Sequence, residues 1–202
     1  MMKGIKLARY SRNRENIFPA LFSLVLGVLL AWITFDMVGI PAAYGILKNT
    51  GLWVAVASLI AYFGRTAVGG AISAVALGLG RFLALVTRPF IMEQSMPGMP
   101  LYHLVFCVML GLIGFLAYSA HENRWVGALC GAVPVAFLLS EGYPALYSRS
   151  TALIFDIVMA VFLFFIILRG SERRLRSIPF IIAFSFLLIH FNVLAQMTGV
   201  YL

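Results

Sequence analysis

Two ionised residues stand where ions are expensive. Arg81 interrupts the uncharged run between Arg65 and Arg88, and Asp156 interrupts the one between Arg149 and Arg169. Placing either charge deep in a bilayer costs roughly 2.5–3.5 kcal/mol, so each needs a counterpart. An arginine fork matches a carboxylate or phosphate, and an aspartate orients an arginine or accepts from an amine. This is binding chemistry for a small polar or anionic solute. Glu141, His103, Tyr143 and His190 fall near the same ends of their segments and are the remaining candidates to line such a pocket. His190 and Asn192 lie two residues apart, about 200° on a helix, so only one of them faces a shared pocket.

Each candidate also has a plainer reading. Arg81 and Asp156 could pair only with each other, or Arg81 could snorkel to the headgroups. Glu141 could be a solvated helix end beside Arg149, and His103 an interfacial side chain. Met92, Met96 and Met99 with His103 have the soft-ligand composition that suits Cu(I), but methionine is equally a filler of short apolar loops, and no metal or other cofactor is assigned. There is no HExxH, GxSxG or P-loop sequence. Glu141 and His103 are the sole candidate acid–base pair, and the reading is of a protein that is not an enzyme.

The elements that must position these residues are membrane spans. The 202 residues are 62% hydrophobic and 11% charged, with a mean hydropathy of +1.00, whereas a soluble domain carries about a quarter charged residues. Apolar stretches of about 20 residues cross a bilayer. Seven are expected, at about 18–37, 46–64, 66–87, 101–120, 125–141, 151–168 and 178–197, in an all-α bundle forming a single domain over 1–202. Residues 1–15 make a basic N-terminal segment, and the run from Ile17 is too long for a cleaved signal peptide. Cys107 and Cys130 fall at opposite ends of neighbouring spans, which disfavours a disulfide.

The net charge of +8 reports orientation and does not call for nucleic acid. Lys3, Lys6, Arg9, Arg12, Arg14, Arg65, Arg124, Arg169, Arg173, Arg174 and Arg176 fall on one side of the expected topology, against Lys48, Arg88 and Arg149 on the other. The positive-inside rule then puts the N-terminus in the cytoplasm and the chain in a plasma membrane, with its basic segments against anionic lipid.

Small residues recur at the spacing that lets helices approach closely. Ser23, Gly27 and Ala31 form one stripe, Gly70, Ala74 and Gly78 a second, and Gly127 and Gly131 a GxxxG pair upstream of Pro134, which is expected to loosen its helix. Arg81 follows Ala74 by seven residues and returns to the same face. Asp156 lies between Ala152 and Ala160 on another.

With a Gly-rich first span and the sequence Asn49-Thr-Gly-Leu-Trp53 opening the second, the chain resembles a group of small uncharacterised bacterial membrane proteins. Architecturally it also resembles the S subunits of energy-coupling-factor importers. Those capture a solute from outside and dock a partner through small residues spaced by four on the first helix, as Ser23, Gly27 and Ala31 are; they have six spans where seven are expected here. That likeness implies a substrate-binding transport subunit driven by an ATPase module on other chains. The alternative is a scaffold subunit that holds a larger membrane complex through its small-residue faces and binds no solute.

Overall fold

The computed structural model describes residues 2–91, 100–122, 124–147 and 150–190. Among the described residues eight helices run α1 (Met2–Asp36), α2 (Pro41–Lys48), α3 (Thr50–Tyr62), α4 (Ala67–Ile91), α5 (Pro100–Ser119), α6 (Arg124–Gly142), α7 (Thr151–Ile167) and α8 (Ser171–His190). Single 3-10 turns follow α1 at Met37–Gly39 and α6 at Tyr143–Leu146. Among the described residues there is no strand. Met92, Met96, Met99, Arg149 and Asn192 lie outside the described residues, as does the end of the seventh expected span.

Four stretches among the described residues are long and apolar enough to cross a membrane: Ile17–Gly39, Ala67–Arg88, Tyr102–Ser119 and Trp125–Gly142. A fifth is made by α2 and α3 together, bent by 57° at their junction. The α7 helix, Thr151–Ile167, is apolar but shorter. Among the described residues the fold is therefore an all-helical bundle with four to five helices that are candidate membrane spans by length and composition. Its helices carry exposed apolar side chains, among them Phe18, Val25, Val108, Leu112, Val158 and Ile182, the kind of surface that suits lipid.

Two helix groups make the bundle. In the first, α4 packs on α1 along one side and on α5 along another, with α3 filling the angle between α4 and α5. In the second, α6 holds α7 and α8, and α3 reaches across to α6 and α7. Small residues set the first group's spacing. A Cβ at Gly27 would collide with the backbone of Leu77, and one at Gly80 with the backbone of Leu24. Hence the Ser23–Gly27–Ala31 stripe is buried against α4 and is not a free docking face. The Gly78 face meets Cys107 and Leu110 of α5, and Gly70 meets Ala61 of α3. In the second group Gly131 lies against Ile167 and Leu168, whereas Gly127 packs on the carbonyls of Ala120 and Glu122 in the preceding turn. The α6 helix continues through Pro134 without a break. Both cysteines are free and buried.

The basic connections gather at one end. Tyr118 donates to the Arg65 carbonyl (2.9 Å), Arg173 donates to the Ala120 carbonyl (2.8 Å), and the Arg169 guanidinium lies 5.8 Å from the Tyr62 ring centre. At the opposite end Arg88 approaches Asp36 (4.0 Å) and covers the Phe35 ring, tying the ends of α1 and α4 together.

Candidate functional site at the broken helix

The expected second span is not one helix. It starts earlier, at Pro41, and breaks at Asn49, whose backbone is extended (φ −66°, ψ 140°) while its N–H still closes α2 on the carbonyls of Gly45 and Ile46. No proline causes the bend; the short sequence Asn49-Thr50-Gly51 does, because these residues favour helix ends over interiors. The Trp53 indole N–H bridges the break by donating to the Leu47 carbonyl (3.2 Å). The 13 residues of α3 rise about 20 Å at about 1.5 Å each, against a hydrocarbon core about 30 Å thick. By itself α3 is therefore too short to cross such a core.

Polar side chains from four other helices converge on that start. Asp156 of α7 is fully buried, and one of its carboxylate oxygens accepts from the Asn49 amide. Its other oxygen, Oδ1, presses against Gly51, where a Cβ would occupy the same space. Thus Gly51 is the one position at which the break demands glycine. Asn49 does not cap α3 with its side-chain oxygen; its amide N–H is directed to the aspartate of α7. Glu141, at the end of α6, lies beside the Thr50 hydroxyl and within electrostatic reach of both Asp156 and Arg81. A carboxylate near a helix N-terminus is also favoured by the helix dipole.

Arg81 reaches the cluster from α4. Its guanidinium sits between two aromatic rings, 4.9 Å from the Trp53 ring centre and 4.8 Å from that of Phe106, a cation–π sandwich that offsets part of its burial cost. It makes no ion pair with Asp156. The plainer reading, in which these two charges only pair with each other, gives way to a division of labour: rings hold the arginine, and an amide holds the aspartate. Tyr102 of α5 and His103 stand near Arg81, and the His103 ring lies 5.6 Å from that of Phe82.

Three buried polar atoms in this cluster have no hydrogen-bond partner among the described residues: Arg81 Nη1, Glu141 Oε2 and Asp156 Oδ1. One is a donor and two are acceptors, at a place where an unmade hydrogen bond costs about 1–3 kcal/mol. The other two expected lining residues are elsewhere. Tyr143 is 38% exposed and its hydroxyl meets that of Tyr147 at 3.0 Å. His190 is exposed on α8, which packs on α6, and its ring stacks on Phe186. Tyr143 lies in the 3-10 turn that follows α6, and His190 ends α8.

No family model, curated protein or solved structure matches this chain. Asn49, Thr50, Gly51 and Trp53 escaped the sequence reading as site residues, although they form the segment that opens the second span. The signal was there in the Asn-Thr-Gly triplet, polar and helix-breaking, placed between two apolar stretches. Among the described residues no group of three or more histidine, cysteine, aspartate or glutamate side chains gathers for a metal.

Proposed function

We propose that this chain is a non-enzymatic membrane subunit of a transport system that binds a small polar solute at the broken α2–α3 helix. The observation that carries the reading is the trio of buried, unpartnered atoms on Arg81, Glu141 and Asp156. A solute with an acidic group for Arg81 and a donor group, such as an amine, for the two carboxylates would satisfy all three. One cation against two acids also favours a solute that is not purely anionic. Discontinuous spans are used in this way in transporters, where helix ends inside the membrane supply polar groups to a ligand.

In this reading seven segments cross the plasma membrane, α2–α3 and α8 among them, and the arginine-rich end faces the cytoplasm. The solute then enters from outside, and an ATPase module on other chains drives transport. The scaffold alternative has less support, because the small-residue stripes it would need are spent on internal contacts at Gly27, Gly78 and Gly131.

Native mass spectrometry of the gently solubilised protein from its own host tests the reading. A bound small molecule is expected that is lost in Arg81→Gln and kept in His190→Ala, with both variants folded. A wild-type protein free of any small molecule, or one whose ligand survives Arg81→Gln at full occupancy, overturns it.

A further inference from the structure

A second feature lies on the other helix group, away from the broken helix. Between α6, α7 and α8 runs an open groove of about 330 Å³, lined by Val135, Val161, Phe165, Ile178, Ile181 and Ile182 among other apolar residues. Ile178, Ile181 and Ile182 continue a stripe on α8 that starts with Arg174, at offsets of four, seven and eight residues on one helix face. The Arg174 guanidinium lies beside the groove lining at that end: it is 4.7 Å from the Phe165 ring centre and donates to the Leu168 and Phe165 carbonyls at the end of α7. Around it, the segment from Arg169 to Arg176 carries four arginines and one glutamate.

We propose that this groove is a binding site for one anionic phospholipid, with an acyl chain along the isoleucine stripe and the phosphate at Arg174. Charge complementarity identifies the occupant. An apolar channel that ends in a net positive turn matches a molecule that is apolar along its length and negative at its head. A second copy of this chain matches poorly, because in the same membrane orientation it would bring its own arginine-rich turn to the same level. The arginine meanwhile keeps its bonds to the α7 carbonyls, so it is fixed in place before any lipid arrives, and little ordering is needed on binding.

The test is lipid retention by the full chain after exchange into equal parts phosphatidylglycerol and phosphatidylcholine, read by native mass spectrometry. The wild type is expected to keep one phosphatidylglycerol per chain. Arg174→Gln should reduce that preference by about fivefold, roughly what one arginine contributes near an anionic headgroup, and Arg174→Lys should retain most of it. Because Arg174 also ties down the end of α7, a second variant guards against misfolding. Ile182 is 64% exposed, so Ile182→Trp fills the groove without entering the core, and it should remove the retained lipid while leaving the melting temperature unchanged. Equal retention of the two lipids by the wild type overturns the proposal. So does phosphatidylglycerol retained undiminished in Ile182→Trp, or a dimer of this chain that disappears in that variant.

Discussion

The seam between α1 and α4 and the break between α2 and α3 solve opposite problems. Along the seam, Gly27 and Gly80 bring two backbones into contact, and the polar groups nearby are settled within their own helix: Ser23 donates to the Pro19 carbonyl and Thr34 to the Leu30 carbonyl, each at 2.7 Å. At the break, one helix start collects an amide, a hydroxyl, two carboxylates and a guanidinium, and three buried atoms stay unpartnered. Close packing in a membrane needs only small residues and dispersion. Buried charge needs a reason, and the contrast locates it: the rigid seam holds α4 in place so that Arg81 can reach across to Trp53 and Phe106.

Substitutions that exchange these characters give the sharpest tests. The largest effect is expected for Gly27→Leu, whose side chain must displace the Leu77 backbone. It should cost about 3 kcal/mol, the upper part of the range for overpacking, in equilibrium unfolding from mixed micelles. Gly39, which has nothing within 4 Å of an added Cβ, is the matched control, and Gly39→Leu should change stability by less than about 0.5 kcal/mol. Equal losses at the two positions would dissolve the seam as a distinct region.

Next in size is Asn49→Ala, which leaves the Asp156 carboxylate buried with no donor and should cost about 1–3 kcal/mol. Asp156→Asn should cost less, because the new amide still offers an oxygen to Asn49. In the double variant Asn49→Ala with Asp156→Ala, the loss should fall short of the sum of the single losses. Strict additivity in that cycle would mean that the two side chains do not act as a pair.

The smallest effect carries a change of sign. In the native background Gly51→Ala drives a Cβ into Asp156 and should destabilise by about 1 kcal/mol, the lower part of the overpacking range. In the Asp156→Ala background the same substitution meets no carboxylate, and the ordinary helical preference for alanine over glycine should stabilise by up to about 1 kcal/mol. Thermal melts of the four proteins decide it, and the same sign in both backgrounds would detach Gly51 from the site.

Much of the architecture was legible in the chain because membrane helices announce themselves through length and apolarity. Each expected segment overlaps a helix, four of them long and apolar enough to cross outright. The small-residue stripes also fell on buried faces, since close approach leaves the same spacing in any sequence. The break at Asn49 was not legible in hydropathy, and only the Asn-Thr-Gly triplet marked it. Averaged hydropathy runs through a single extended residue, and only backbone angles reveal the 57° turn. Gly80 was missed for a related reason: it belongs to a different face of α4 from Gly70, Ala74 and Gly78, so no single stripe includes it.

Composition and periodicity alone therefore determined an all-helical, strongly apolar chain, the faces on which Arg81 and Asp156 lie, and which connections are basic. These are local quantities, fixed by the solvent that each residue prefers and by the helical repeat. Only the tertiary structure decided which groups meet. Arg81 is held by Trp53 and Phe106, Asp156 by Asn49, and Glu141 stands beside Thr50. A helix face spans a wide arc and can meet any neighbour that the bundle supplies, and pairing depends on how the helices are arranged around α3, which no single segment encodes.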